Sequence, residues 1–144
     1  MATIGKLTPD DRAAWQTLYR GYLDIYESTL PPEGYDRAWR EFQLDERVHA
    51  LGARLDGQLV GITHFLVHAN ILGPDVCYLQ DLFTAAPARG RGVGRALIAA
   101  VTEWARDRRC SRVYWHTRDS NATARRLYDQ VAVNRGFIRY EVML

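Results

Sequence analysis

Apolar residues recur at helical spacing in four stretches of the chain. In the first stretch Trp15, Leu18 and Tyr22 share one face, and the preceding Thr8 and Pro9 suit a helix cap and a first helical position. The same spacing predicts helices at residues 8–26, 35–42, 93–109 and 121–131. We expect each of these helices to bury one face.

Strand-like patterns fill most of the remaining chain. They predict strands at residues 2–6, 49–56, 58–68, 76–84, 112–117 and 137–143. Asp56-Gly57 separates two of these strands and favours a hairpin turn. This order of elements predicts a mixed α/β fold of the α+β type, in one domain that spans residues 1–144.

The composition is typical of one globular domain. Of the 144 residues, 47% are hydrophobic, yet no apolar run approaches the roughly 20 residues of a membrane span, and the N-terminus lacks a signal-peptide core. We therefore expect a soluble, cytoplasmic protein with no membrane partner. Cys77 and Cys110 lack metal-ligand spacing and lie in apolar segments, which predicts buried free thiols.

Charge divides the chain into an acidic half and a basic half. Residues 1–75 contain seven Lys and Arg against eleven Asp and Glu, whereas residues 76–144 contain twelve against six, for a net charge of +2. A basic half is typical of proteins that bind a phosphorylated cofactor or a nucleic acid. The arginines cluster beside one glycine-rich turn and lack the interleaved aromatic residues of a stacking platform, so we expect no nucleic-acid partner.

The glycine-rich turn at residues 89–94, Arg-Gly-Arg-Gly-Val-Gly, lies between a predicted strand and a predicted helix. Free backbone N–H groups at a helix start attract anions, and glycine lets a phosphate approach them closely. Arginine side chains add full positive charges around such a site. Taken alone, the turn is equally typical of an ordinary connection between a strand and a helix.

Two other phosphate-binding motifs do not fit this turn. A Walker A loop requires Lys-Ser or Lys-Thr after its glycines, and neither follows here. A dinucleotide-binding fingerprint that begins at Gly90 would require a third glycine where Arg95 stands. Hydrolysis of a nucleoside triphosphate and binding of a dinucleotide are therefore both disfavoured.

Three ordered motifs resemble those of the GNAT superfamily of acyl-CoA-dependent N-acetyltransferases. Arg89, Gly92 and Gly94 match its phosphate-loop signature, in which Gln or Arg is followed by x-x-Gly-x and then Gly or Ala. Residues 78–84 are similar to its fourth strand, and residues 120–128 to its later Asn-x-x-Ala-x-x-x-Tyr element. The resemblance, nearest to the histone and polyamine acetyltransferase-like subgroup, implies a mixed, mostly antiparallel sheet flanked by about four helices.

The resemblance also implies acetyl-CoA as cosubstrate, no metal, and a role for each matched residue. The pantetheine arm would pair with the backbone of Leu82, Phe83 and Thr84, where one N–H would polarise the thioester carbonyl. Asn121 would hydrogen-bond the pantetheine, and Tyr128 would protonate the leaving thiolate. Spacing alone also fits a helix cap at Asn121 and a core aromatic at Tyr128. The residues that would hold the pyrophosphate are Arg89, Gly90, Arg91, Gly92, Val93, Gly94 and Arg95.

The acceptor implied by this resemblance is a primary amine, which must lose a proton before it attacks. A lysine-like amine has a pKa of about 10.4, so its deprotonation at pH 7 costs about 4 to 5 kcal/mol. Asp81 is the first candidate for the base, because Gln80-Asp81 resembles the Glu-Asp pair of polyamine acetyltransferases, although Gln80 cannot accept a proton. Successive strand residues face opposite sides, so both side chains reach one substrate only if a β-bulge intervenes.

Further polar residues are candidates for contact with the acceptor. His64 and His68 share a strand face at even spacing, but no third metal ligand accompanies them, so we predict sheet-surface histidines. His116, at a strand end, is a candidate proton relay. The acidic half favours a cationic acceptor and supplies further candidates for contact with it: Glu27, Glu33 and Asp36.

Only one strand is predicted after the tyrosine helix, where many GNAT proteins have two. An open sheet edge needs cover, so we predict a homodimer built partly across that edge. The principal functional prediction is transfer of an acetyl group from acetyl-CoA to a small amine, polyamine, amino acid or protein lysine. The alternative is a non-catalytic acyl-CoA-binding regulatory module, which the departure at Gln80 permits.

Overall fold

The computed structural model of the protein describes residues 1–144. Five strands form one sheet: β1 Thr3–Lys6, β2 His49–Leu55, β3 Gln58–His68, β4 Val76–Thr84 and β5 Val113–Tyr114. Four α-helices flank the sheet: α1 Arg12–Ile25, α2 Pro32–Leu44, α3 Val93–Asp107 and α4 Ala122–Val131. Short 3₁₀ turns at Pro9–Asp11 and Ala86–Ala88 precede α1 and the loop before α3. The predicted mixed α/β class and helix number are confirmed.

The strands follow the order β1-β2-β3-β4-β5, and every pairing is antiparallel except the parallel pairing of β4 with β5. The register between β3 and β4 shifts at one point: His64 lies opposite Asp81, but Phe65 lies opposite Leu79. Gln80 is therefore the extra residue of a β-bulge. The bulge lies in the strand on which the candidate base was predicted.

The sheet separates two apolar layers. On one face, α3 and α4 pack over a buried cluster that includes Phe65 and Val101. On the other face, α1 and α2 pack over a cluster that includes Trp15 and Ile62. Gly61 lets β3 approach α3 closely, since a Cβ at this position would lie only 2.7 Å from a Val93 methyl group. The start of α3 is thereby seated directly against the sheet.

The last predicted strand does not form. Residues 133–144 adopt neither helix nor strand, and Phe137 and Tyr140 are 88% and 86% exposed. β5 is also shorter than the predicted strand at residues 112–117. A strand persists through hydrogen bonds to a neighbour, and β5 has a neighbour only on its β4 side. The prediction at residues 137–143 is therefore wrong for the single chain, because the pattern is present without a partner strand.

Both cysteines are free thiols, as predicted, but their environments differ. Cys77 is buried, whereas Cys110 is only partly buried, contrary to the prediction. Burial raises the pKa of the Cys77 thiol to about 12, so it stays protonated at neutral pH.

No helix in the structure combines the length and the apolar character that crossing a bilayer requires.

Candidate active site

β4 and β5 diverge soon after they meet. They are paired only at Cys77 and Tyr78 of β4, and no strand lies beside the remainder of β4 on that side. Leu82, Phe83 and Thr84, which are predicted to pair with pantetheine, lie in this unpaired stretch. The strand therefore offers an open backbone edge of the kind that binds an extended ligand by β-augmentation.

The glycine-rich turn ends where α3 begins. Gly90 and Gly92 have φ angles of +77° and +79°, a left-handed conformation that glycine adopts without strain, and Gly92 caps the 15-residue helix. A Cβ at either position would meet no atom within 4 Å. The turn thus leaves open space before the positive end of a helix, which is the arrangement that binds a phosphate.

The three arginines near this turn have different surroundings. The Arg89 Nε donates to the Thr84 carbonyl oxygen at 3.0 Å, and its guanidinium lies 5.6 Å from the centre of the Phe83 ring. Arg95 donates to the side chain of Gln130 on α4, while Arg91 is exposed. Arg89 therefore fixes the end of β4, and Arg91 is the arginine whose side chain is most available to an anion.

α4 presents the two residues of the Asn-x-x-Ala-x-x-x-Tyr element. The Asn121 side chain caps the helix by accepting from the Ala124 N–H at 3.3 Å, so the helix-cap alternative is realised. The Tyr128 ring packs edge-on against Trp115, with ring centres 5.4 Å apart. Burial, assisted by the nearby Tyr26, raises the pKa of Tyr128 to about 12, which keeps the phenol protonated at neutral pH.

The bulge at Gln80 turns the Asp81 side chain toward the α1 face of the sheet. Asp81 is 8% exposed, and its Oδ2 lies 2.8 Å from Nδ1 of His64. On the far side of the imidazole, the Trp15 indole N–H donates to His64 Nε2 at 3.0 Å. Three residues from α1, β3 and β4 thus form one hydrogen-bonded chain that ends on a carboxylate at the open strand.

The partners of His64 determine its tautomer. An indole nitrogen can only donate, so His64 Nε2 must accept and its proton resides on Nδ1, from which it is donated to Asp81. Because Trp15 cannot accept a proton, this imidazole cannot relay one away from Asp81. The prediction of a sheet-surface histidine was wrong: His64 is 2% exposed. Its position between Ile62 and Phe65, in a predicted strand that contains no Asp, Glu, Lys or Arg, was the available signal of burial.

Three tyrosines of α1 and its C-terminal end connect the candidate base with the candidate acid. Tyr19 stacks on Tyr22 at a ring separation of 5.8 Å, and Tyr22 lies 4.9 Å from Tyr26, which is near Tyr128. Burial raises the pKa of Tyr19 and of Tyr22, and the negative charge of Asp81 raises both further. The apolar spacing predicted this helix face only as part of the core. The signal in the sequence was that three of its residues are tyrosines, whose hydroxyl groups can line a polar site.

The other predicted contact residues lie elsewhere or have partners. Asp36 is paired with Arg12 at 2.6 Å, and Glu27 and Glu33 are exposed. His116 Nδ1 lies 3.2 Å from the Tyr78 hydroxyl, on the β5 side of the site. A cavity of about 220 Å³ lies between α1 and the start of α2 and contacts neither Asp81 nor Tyr128.

No group of three or more His, Cys, Asp and Glu side chains is placed to hold a metal ion. The two histidines considered as a pair have other partners: both nitrogens of His64 are engaged by Trp15 and Asp81, and His68 Nε2 lies 2.9 Å from the Tyr114 hydroxyl. The histidine pair on β3 therefore serves hydrogen bonding within the fold.

The site combines an open strand edge, a glycine turn that starts a helix and a protonated tyrosine on the next helix, an arrangement typical of acyltransferases. The family model for the acetyltransferase (GNAT) family matches residues 15–132. The chain therefore belongs to the GNAT acetyltransferase family, and it is an acyltransferase enzyme.

Named relatives extend over most of the chain. The D-amino-acid N-acetyltransferase HPA3 of Saccharomyces cerevisiae is 31% identical over 143 residues, which cover 96% of this chain and 88% of the relative. An aminoglycoside N(6')-acetyltransferase type 1 of Stenotrophomonas maltophilia is 32% identical over 112 residues, covering 75% and 70% of the two chains.

Solved structures share the fold at lower identity. The aminoglycoside acetyltransferase AAC(6')-Iy, determined in complex with the bisubstrate analogue CoA-S-monomethyl-acetylneamine, superimposes with a TM-score of 0.86 at 19% identity. The match covers 100% of this chain and 99% of that chain. At this identity the likeness establishes the architecture alone.

Proposed function

We propose that the protein transfers the acetyl group of acetyl-CoA to a primary amine, which attacks the thioester directly. The amine nitrogen bonds to the carbonyl carbon, the carbon–sulfur bond breaks, and the products are an acetamide and CoA. Asp81 accepts the proton that the attacking amine releases. Tyr128 stabilises the departing thiolate, and the backbone of Leu82, Phe83 and Thr84 holds the acetylated pantetheine.

The observation that carries this proposal is the geometry of β4. The strand has an unpaired edge beyond Tyr78, and the bulge at Gln80 directs the adjacent Asp81 carboxylate to the α1 face. One strand therefore supplies both the binding edge for the thioester arm and the candidate base. Their relative position is fixed by backbone geometry, which favours a productive approach of the amine.

The cofactor proposal rests on the turn that starts α3. Gly90 and Gly92 leave the helix N-terminus open, and Arg91 is exposed beside it, which suits a pyrophosphate. The predicted bond from Asn121 to pantetheine remains part of the proposal, although Asn121 Oδ1 accepts from the Ala124 N–H and Asn121 Nδ2 donates to the Thr117 hydroxyl, so the ligand would share or replace one of these bonds. The bisubstrate complex of the structural neighbour supports CoA as the carrier.

The pKa of Tyr128 refines its proposed role. A cysteine-like thiol has a pKa of about 8.5, so complete transfer of the proton from a phenol of pKa about 12 to a free thiolate is unfavourable by about 5 kcal/mol. We therefore propose that Tyr128 acts by a hydrogen bond that strengthens as charge develops on sulfur. A proton from solvent then completes the free thiol.

The acceptor is proposed to be a cationic small amine, polyamine, amino acid or lysine side chain. The D-amino acids and aminoglycosides in the relatives' names both carry primary amino groups. In this chain the route to Asp81 is walled by phenol rings of α1, which attract an ammonium group by cation–π contact. Asp81 adds a full negative charge at the end of that wall.

The test is release of free CoA thiol from acetyl-CoA in the presence of a panel of D-amino acids, aminoglycosides, polyamines and lysine peptides. We expect turnover that depends on one acceptor class and falls about 100-fold in Asp81→Asn, the range of general-base effects. Asp75→Asn, which alters an exposed carboxylate just before β4, is the matched control and should retain full activity. CoA binding without turnover of any amine would instead support a non-catalytic binding module.

We also propose that the protein is cytoplasmic and forms a homodimer across the β5 edge of the sheet. The two-residue β5 leaves that edge open, and open edges are normally covered. A monomeric mass at micromolar concentration would count against the dimer.

A further inference from the structure

Arg118 is an exposed arginine in the loop between β5 and α4. Its guanidinium carbon lies 5.1 Å from the centre of the Tyr26 ring, at the C-terminal end of α1. The adjacent carboxylate, Asp119, is bound by Arg125 at 2.8 Å, and Arg118 has no acidic partner of its own. A guanidinium held against an aromatic ring, with its N–H donors directed to solvent, is able to bind an anion that a ligand supplies.

The backbone around Arg118 is fixed by the start of α4. The Asn121 N–H donates to the Arg118 carbonyl oxygen at 3.0 Å, and Asn121 Nδ2 donates to the Thr117 hydroxyl at 3.3 Å. The cation–π contact with Tyr26 adds a second attachment, from the α1 side of the site. The position of Arg118 is therefore set before any ligand arrives, which lowers the entropic cost of binding.

Arg118 stands at one end of a row of aromatic rings, and Asp81 stands at the other. The members of this tyrosine row are Tyr19, Tyr22 and Tyr26. Burial raises the pKa of Tyr19 and of Tyr22, and the charge of Asp81 raises both further, so the carboxylate lies against these two phenols. The Tyr26 ring lies 4.9 Å from that of Tyr22 and is also near the candidate acid, Tyr128. A full negative charge and a full positive charge thus flank the region in which the amine would react.

We propose that the acceptor is an amino acid whose carboxylate binds Arg118 while its amino group approaches Asp81. This inference rests on the proposed acetyl transfer and deepens it by naming the acceptor class and a residue that selects it. An amino acid carries one charge of each sign, and the two ends of the tyrosine row match both. A polyamine would bring a second ammonium group toward the guanidinium, and like charges repel.

The test compares free amino acids with uncharged counterparts of the same side chain. The acceptors are the D- and L-forms of phenylalanine and leucine, their carboxamides, and the two decarboxylated amines, phenethylamine and 3-methylbutylamine. We expect kcat/KM for the better amino acid to exceed that for its carboxamide by about 10- to 100-fold, as for one hydrogen bond between two charged groups. Release of the CoA thiol from acetyl-CoA measures each rate.

Substitution of Arg118 should remove this preference. Arg118→Gln should lower kcat/KM for the amino acid by about 10- to 100-fold, mainly through KM, and change it by less than about twofold for the carboxamide and the amine. Arg118→Lys should recover part of the loss, because an ammonium group keeps the charge but not the two-pronged geometry of a guanidinium.

Arg112→Gln is the matched control. Arg112 is also an exposed arginine over a tyrosine, 6.0 Å from the centre of the Tyr114 ring, but it precedes β5 and lies away from the tyrosine row. This variant should retain the wild-type rates with every acceptor. In all three variants, an unchanged midpoint of thermal unfolding and an unchanged Kd for CoA would show that the fold and the cofactor site are intact.

Three outcomes would overturn the inference and leave the proposed acetyl transfer intact. The first is an equal kcat/KM for amino acids and carboxamides in the wild-type protein. The second is an equal loss for both in Arg118→Gln, which would show that this arginine only packs against Tyr26. The third is weaker CoA binding in Arg118→Gln, which would assign its charge to the cofactor. Failure of every amine to release CoA would overturn the proposed function, and this inference with it.

Discussion

His64 Nδ1 lies 2.8 Å from Oδ2 of Asp81, and the Trp15 indole holds the opposite nitrogen of the same ring. The imidazole is therefore fixed as a neutral donor to the carboxylate. It has no acceptor to which it could pass a proton. His64 is consequently placed to hold the Asp81 carboxylate, which in the proposed mechanism faces the acceptor amine.

Two substitutions at His64 distinguish its hydrogen bond to Asp81 from its packing in the core. His64→Asn places an amide N–H near the former Nδ1 and should keep the bond to Asp81. His64→Gln places its amide oxygen near the former Nε2 and should keep only the bond from the Trp15 indole. We expect kcat to fall about tenfold in His64→Gln, less in His64→Asn, with an unchanged KM for acetyl-CoA. Steady-state kinetics with the best acceptor from the amine panel measure this difference.

Both variants lose imidazole packing against Phe42, so thermal unfolding provides the control for stability. A positioning role requires Asn to rescue activity relative to Gln at equal stability. Equal losses of kcat in the two variants would show that His64 contributes only packing.

Tyr128→Phe removes the hydroxyl group and keeps the aromatic ring against Trp115. We expect kcat to fall about 10- to 100-fold, because one hydrogen bond to a developing charge is lost, while the Kd for CoA changes less than about threefold. Because the pKa of Tyr128 is raised to about 12, the wild-type rate should show no loss from ionisation of this phenol below about pH 11. Stopped-flow kinetics measure kcat and its pH dependence, and calorimetry measures the Kd for CoA. Unchanged turnover in Tyr128→Phe would remove this residue from the mechanism.

Local sequence signals predicted much of the fold, including the glycine turn and the helices on either side of the candidate site. The helix at residues 121–131 follows from a capping asparagine and apolar spacing, and α3 begins at Val93, directly after Gly92, as predicted. These features depend on neighbours within a few residues, so the chain itself carries the information. α2 begins earlier than predicted because Pro32 occupies its first position, where a missing N–H is harmless.

The acceptor side depends on contacts that are distant in the chain. The bulge at Gln80 exists only in the register of β3 against β4, and the tautomer of His64 depends on Trp15, 49 residues away. No local pattern specifies either contact. The unpaired segment after Val133 is the converse case: its alternation of apolar and polar residues is local, but in this structure it pairs with no strand, so the pattern alone does not form one.

The phosphate turn predicts a contrast between two glycines of equal geometry. Gly92 and Gly57 both have φ of +79°, and a Cβ at either position would meet no atom within 4 Å, but Gly57 lies in the hairpin turn between β2 and β3. Alanine at either position should cost about 1 kcal/mol of stability from backbone strain. Only Gly92→Ala should weaken CoA binding, by about tenfold, the equivalent of one charge-assisted hydrogen bond.

Isothermal titration with CoA measures this contrast, and chemical unfolding measures the shared loss of stability. Arg91→Ser should also weaken CoA binding, and the loss of affinity should be larger at low salt than at high salt, because the exposed charge of Arg91 is screened by salt. Equal CoA affinity in Gly92→Ala and Gly57→Ala would place the pyrophosphate elsewhere.

The Asp11–Arg54 pair predicts how stability depends on pH. Asp11 is 6% exposed and lies 2.5 Å from an Arg54 nitrogen. Burial by itself would raise the pKa of Asp11, but the bonds from Arg54 and Thr8 outweigh it and hold the pKa below its ordinary value of 3.8. A carboxylate with a lowered folded-state pKa adds stability above its unfolded pKa, and this stability disappears as the pH falls through the folded value.

We therefore expect Asp11→Asn to lower the free energy of unfolding by about 1 to 3 kcal/mol at pH 7, as for loss of a charged partner in a buried hydrogen bond. The difference from wild type should shrink as the pH falls below 3.8. Glu103→Gln, in the exposed pair with Arg106, is the control and should change stability by less than about 0.5 kcal/mol. Urea unfolding at pH 7 and at pH 3 gives both values, and a deficit of equal size at the two pH values would exclude the charge of Asp11 as its cause.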